Sequence, residues 1–245
     1  MLIDVVLSVG ARTTPAITGA KFVLSVAERE NLRIDHVVDT HVPTEHVMAS
    51  AWLKGCTGAS NAIGVKTVPL AMRWREQHAL GELADPLAHF DSLLEDGQQF
   101  ALGELEVNVW LIPGHTSASV VLLVGDAAFV GDTLAQPDVG TVRADELGGD
   151  VDALWESAQG VLAFEPRTRV FVGHDGGAPG RDSVAWEASV REHAEHNIHV
   201  SSAMTRAQFV ELRRRLDAEL TSAENVVAIV QANLTAGSSP IDAFA

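Results

Sequence analysis

The sequence predicts an α/β protein in which layered strands and helices deliver a metal site from strand ends. Three observations lead there. Apolar runs of strand length alternate with stretches of helical period along the chain. Histidines and aspartates sit in short Gly- or Thr-flanked phrases directly after those runs: Thr40-His41-Val42-Pro43-Thr44-Glu45-His46, Pro113-Gly114-His115-Thr116, Gly131-Asp132-Thr133 and Gly173-His174-Asp175. Finally, 245 residues that are 47% apolar, with no repeat and no linker, are enough for one large core. A single domain over residues 1–237 is expected, with a loose tail over 238–245.

Taken in order, Leu2 to Val9 reads as a strand, Ala20 to Asn31 as an amphipathic helix, and Ile34 to Asp39 as a buried strand running into His41. Thr44 to Lys54 follows as a helix whose first turn carries Glu45 and His46. Lys66 to Asp91 mixes Trp, Arg, His and Pro without a clear period, and its His78 and His89 lie outside any metal-like phrase. Leu105 to Ile112, Val120 to Val124 and Ala127 to Val130 are three strands, the last two joined by a Gly125-Asp126 hairpin turn. Asp150 to Phe164 reads as a helix and Arg169 to Val172 as a strand ending at His174. Thr205 with Gln208 makes a capping-box pattern ahead of a helix with an apolar face of Phe209, Leu212, Leu216 and Leu220.

A divalent cation needs ligands that arrive from different directions and stay aimed, and strand ends on a rigid sheet supply them. The charge of −16, with 17 Lys and Arg against 33 acids, argues against a nucleic-acid partner. The one basic cluster, Arg213 to Arg215, reads as a solvated helix face. A lone cysteine, Cys56, excludes an internal disulfide, reads as inert and fits a reducing compartment. With no leader pattern and no apolar run of about 18 residues, a cytoplasmic protein without a membrane partner is expected. The five tryptophans, in apolar periodic segments, are expected in the core. Asp4 reads as a turn residue, with support of the site as the other reading.

These phrases, together with Phe129-Val130-Gly131-Asp132-Thr133-Leu134, Pro137-Asp138-Val139-Gly140-Thr141 and Arg143-Ala144-Asp145, resemble the ordered motifs of the metallo-β-lactamase superfamily. The resemblance is nearest to its persulfide dioxygenase and β-lactamase-like hydrolase branch, beside glyoxalase II. It implies an αββα sandwich with the metal at the end of its two sheets. It further implies one Fe(II) held by His41, His115 and Asp132, oxidising glutathione persulfide or a similar small persulfide to sulfite. The alternative is a zinc-dependent hydrolase of thioesters or esters, in which Glu45, His46 and His174 add a second metal site around a shared Asp132. Under the resemblance Arg143 either takes a glutathione carboxylate or pairs with Asp145. Asp175 orients His174 or caps the next loop, and Arg181-Asp182 is a structural pair.

The chain departs from the family pattern at four places. Pro43 stands where a second histidine is usual, Glu45 replaces an aspartate, and Gly176 stands where a tyrosine is common. The first segment also begins almost at Met1, without the usual preceding pair of strands, which would leave an open sheet edge; a homodimer through that edge, or a mis-called start codon, would each account for it. These departures raise a third reading, a member of the fold that binds metal weakly or not at all and serves in binding or assembly.

Overall fold

The computed structural model describes residues 1–9, 15–78, 85–222 and 225–237, so the expected tail over 238–245 lies outside the described residues. The chain divides into two compact units, one of residues 1–94 with the segment from Ser222 onward, the other of residues 95–221.

The first unit opens with β1 (Leu2–Ile3), β2 (Val6–Val9), β3 (Pro15–Ala16), α1 (Thr18–Arg29), β4 (His36–Asp39), β5 (Val47–Met48), α2 (Ser50–Thr57), β6 (Ser60–Gly64), α3 (Thr67–Gln77) and β7 (Ser92–Leu94). Parallel pairing gives one sheet in the order β1-β4-β6-β7, and antiparallel pairing gives another in the order β3-β2-β5. Leu7, Val37, Val47 and Leu53 bury their side chains in its core.

Two expectations change here. The run from Leu2 to Val9 is two strands, because Asp4 takes a positive φ of 50° and sends the chain from the first sheet into the second. The helix expected from Thr44 begins only at Ser50. Residues 47 and 48 pair instead with β2, opposite Leu7 and Val6, and the Ala49 amide donates to the Val5 carbonyl. The Met48 amide is taken by the Asn233 side chain. Strand pairing and a distant asparagine therefore claim the backbone groups that a helix would have used.

The patternless stretch from Lys66 holds α3 and a 3₁₀ turn at Pro86–Ala88. Strand β6, Ser-Asn-Ala-Ile-Gly, has a single β-branched residue, and burial between β4 and β7 rather than propensity makes it a strand.

The second unit follows the sequence reading closely. It comprises β8 (Gln99–Leu102), β9 (Leu105–Leu111), β10 (Val120–Val124), β11 (Ala127–Phe129), α4 (Val151–Leu162), β12 (Arg169–Phe171), β13 (Glu187–Ser189), α5 (Val190–His196) and α6 (Arg206–Glu219). The six strands form one sheet in the order β13-β12-β11-β10-β9-β8. Val124 pairs with Ala127 across the expected two-residue turn, where Gly125 supplies a φ of 60°. Asp150 caps α4 by accepting from the Ala153 amide, and both halves of the Thr205/Gln208 capping box close on α6. Val121, Val130, Leu154, Val170 and Phe209 lie in its core.

Helix α6 does not bury the face its leucines suggest. Phe209 is buried, but its companions one and two turns on are Arg213 and Asp217, which form an ion pair at 2.8 Å, while Leu220 is exposed. Arg213 is thus not part of a solvated cluster. The tryptophan expectation also needs correction: Trp74 is buried, but Trp110 and Trp186 are exposed. The chain then returns to the first unit as α7 (Val226–Leu234), which packs on β5. Among the described residues no helix is long and apolar enough to cross a membrane.

Candidate metal centre

In the first unit, β4 ends at Asp39 and hands the chain to Thr40 and His41. Thr40 donates its amide to one oxygen of Asp4 and its hydroxyl to the other, each at 2.7 Å. A hydroxyl has one proton, already given to Asp4, so the contact of 3.0 Å between Thr40 Oγ1 and His41 Nδ1 requires the imidazole to donate. His41 therefore carries a proton on Nδ1, which leaves Nε2 as the nitrogen able to ligate. Asp4 makes the turn and supports the histidine at once. Behind it, burial pushes the Asp39 carboxyl up to about 8 even though Ser50 donates to it.

Glu45 and His46 lie on the loop before β5, Glu45 exposed and His46 half-buried. Asn233 holds that loop: its Nδ2 donates to the carbonyls of Pro43 (2.9 Å) and His46 (2.7 Å), and its Oδ1 accepts from the Met48 amide. Pro43 brings no ligand atom in its side chain, but its carbonyl is one of the points by which the loop is fixed. Nothing in the apolar run around Asn233 marked it for this task.

In the second unit, three phrases meet at one carboxylate. Asp132 Oδ2 lies 3.9 Å from His115 Nε2 and 3.2 Å from His174 Nε2. Gly114 precedes His115 at a φ of 146°, and a Cβ there would overlap the backbone of Leu154, so the Pro-Gly-His phrase depends on its glycine. His115 Nδ1 stands 2.8 Å from the carbonyl of Arg143. A carbonyl only accepts, so His115, like His41, carries a proton on Nδ1, which leaves Nε2 as the nitrogen able to ligate a metal. His115 and Asp132 are buried, whereas the His174 side chain is 42% exposed.

Gly173 backs the same carboxylate. A Cβ built on it would stand 2.5 Å from Asp132 Oδ1. Gly173→Ala is therefore expected to push Asp132 off its position and weaken metal binding about tenfold or more, read by competition with a chelator, while thermal stability changes little.

For two of the residues read with two roles, the structure shows one of them. Arg143 pairs with Asp145, one of its two expected roles: it is buried, forked onto Asp145 at 2.7 and 2.9 Å, 3.2 Å from Glu146, and donates to the Thr221 carbonyl. What Arg143 contributes to the site is its backbone carbonyl. Asp175 takes the second of the two roles read from the sequence. It caps the following loop, accepting from Arg181 and from the amides of Gly177 and Ala185. The Arg181 guanidinium, helped by those amides, holds its carboxyl well below the usual carboxylate range. Arg181 also pairs with Asp138, which replaces the pairing with Asp182 read from the sequence.

The donor chemistry fits a divalent transition metal. Imidazoles held as Nδ1 donors at His41 and His115, with the Asp132 carboxylate, suit iron or zinc, and a His and Asp set does not choose between them.

Comparison with known proteins agrees with this chemistry. Residues 1–174 match the family described as the Metallo-beta-lactamase superfamily, and the chain belongs to that superfamily. It is 39% identical over 221 residues to a "Beta-lactamase hydrolase-like protein" of Agrobacterium fabrum, covering 90% of this chain and 51% of the relative. It is 30% identical over 221 residues to "Glyoxylase B2" of Dictyostelium discoideum, covering 89% of this chain and 75% of the relative. The crystal structure of ETHE1 from Myxococcus xanthus superposes with a TM-score of 0.75 at 27% identity, covering 96% of this chain and 87% of that one. The chain thus has the mixed α/β metallo-β-lactamase fold. It spans about half the length of the Agrobacterium relative.

Proposed function

We propose that this chain is a mononuclear iron dioxygenase for a low-molecular-weight persulfide such as glutathione persulfide, with His41, His115 and Asp132 as the ligands. The observation that carries this reading is the buried His115 and Asp132 pair, 3.9 Å apart, with the imidazole proton committed to the Arg143 carbonyl. The likeness to the ETHE1 structure and the motif resemblance support it.

Bound Fe(II) would offer an open coordination face where the persulfide sulfur and O₂ meet. The overall reaction balances as persulfide, O₂ and water giving thiol, sulfite and two protons. The protein's part is to hold the ligands still. Asp4 and Thr40 aim His41, the Arg143 carbonyl aims His115, and Gly173 leaves room for Asp132. Burial of His115 and Asp132 keeps bulk water from them. The more exposed His174 stands against Asp132 Oδ2 on the accessible side.

A second reading has one observation of its own. Asp132 Oδ2 faces two imidazoles, as a carboxylate shared between two metals does, and His174 with Glu45 and His46 would then form a second site in a zinc hydrolase of thioesters. Iron-loaded protein given glutathione persulfide separates the two: the dioxygenase consumes O₂ and releases sulfite in equal amounts. No oxygen uptake, with turnover of a thioester by the zinc-loaded protein, would overturn the iron reading in favour of the hydrolase.

A further inference from the structure

Behind the Arg143 carbonyl that aims His115 lies a further set of buried hydrogen bonds. The carbonyl belongs to the peptide joining Arg143 to Ala144, and the other pole of that same peptide, the Ala144 amide, donates to Asp217 Oδ2 at 3.2 Å. Asp217 is buried on α6, and its other oxygen is held by Arg213 through Nε and Nη2, each at 2.8 Å. Arg213 reaches further and donates Nη1 to the Thr141 carbonyl at 3.0 Å. The loop is gripped from below as well. The Thr141 amide donates to His199 Nδ1, and Asn197 Nδ2 donates to the Gly140 carbonyl.

One peptide group is thus clamped between a buried carboxylate and the imidazole of His115. Metal-bound histidines commonly give their second ring proton to a carboxylate, which fixes the tautomer and raises ligand basicity. Here a neutral carbonyl stands in that place. A negative charge on the amide side of the peptide polarises it, drawing the N–H toward Asp217 and increasing electron density on the carbonyl oxygen, since hydrogen bonds in series strengthen one another in a low-dielectric interior.

We infer that Asp217, held by Arg213, is a positioning residue that acts through the Arg143–Ala144 peptide on His115, giving a carbonyl-bonded histidine part of the character of a carboxylate-bonded one. The inference rests on His115 being a metal ligand. It also assigns work to an ion pair in which burial of the acid pushes its carboxyl up against the pull of Arg213, a placement that hydrophobic packing alone does not need.

The test starts with the unaltered protein by nuclear magnetic resonance. The His115 Nδ1 proton and the Ala144 amide proton are expected to be exchange-protected and downfield; rapid exchange of either would overturn the relay. Asp217→Asn, which keeps shape and removes charge, is then expected to shift the His115 Nδ1 proton upfield and weaken cobalt(II) binding about tenfold. If that variant does not fold, Arg213→Met combined with Asp217→Leu removes both charges together and is read in the same way. Unchanged cobalt affinity and an unchanged His115 resonance would overturn the relay while leaving the metal site intact. Cobalt retained in His115→Ala would instead overturn the metal reading on which the relay rests.

Discussion

His115→Ala is expected to leave the protein folded but without its metal. The imidazole is buried, bonded through Nδ1 to Arg143 and poised over Asp132, so its loss removes a ligand and leaves the Arg143 carbonyl and the Asp132 carboxylate without that partner. Loss of an outer partner of a ligand costs about 10 to 100-fold in affinity or activity, and loss of a ligand should exceed that range. Elemental analysis of protein expressed in iron-supplemented medium checks it: about one iron per chain in the unaltered protein and a small fraction of that in the variant. Zinc held equally by both proteins would move the site toward His46 and His174.

Mild acid, between about pH 6.5 and 4, is expected to destabilise the second unit through two buried histidines. Burial lowers the pKa of His193 to about 4, against the opposing charge of Glu192. Burial lowers His199 to about 4 as well, and the neighbouring Arg213 adds to the effect. Both rings already use Nδ1 as an acceptor, from Asn197 and from the Thr141 amide, so protonation at that nitrogen would break the bond. In the unfolded chain both histidines titrate near 6.5. Between the two values the unfolded state binds more protons, so stability is lost as pH falls from about 6.5 toward 4. Two such groups give a slope of up to about 2.7 kcal/mol per pH unit. Urea midpoints at pH 7, 6 and 5 should show it, and His199→Gln should remove about half of the slope. A flat profile over that interval would mean that these rings are not held neutral by burial. Asp175, whose carboxyl lies well below the usual range, contributes only in stronger acid.

The same loop joins these two expectations. Thr141 is held by His199 and Arg213, and two residues later Arg143 presents its carbonyl to His115. Protonation of His199 should therefore loosen metal binding together with the fold, and both should follow one pH midpoint.

Much of the scaffold was legible in the sequence because its signals act over a few residues. The Gly125-Asp126 turn, the helix α4, the Thr205/Gln208 box and the runs of β9, β10 and β12 are local matters of turn chemistry, capping and periodicity, and each stands where it was read. The candidate ligands were legible for the same reason, as histidines and aspartates in glycine-flanked phrases at strand ends. Strands of two to five residues with weak propensity, such as β5 and β6, were not, since they exist only through their partners.

By itself, then, the sequence determined the fold class, the ligand-type residues and the strand ends that carry them. Only the tertiary structure decided what each of those side chains is bonded to. The deciding groups are far apart in the chain: Asp217 lies 73 residues from Ala144, Asn233 lies 190 from Pro43, and Asp4 lies 36 from Thr40. No periodicity or turn rule reaches across such distances. The Nδ1 donor roles of His41 and His115, the burial of Arg213 and Asp217, and the partners of Arg143 and Asp175 all follow from hydrogen bonds that buried polar groups must find wherever the fold brings a partner.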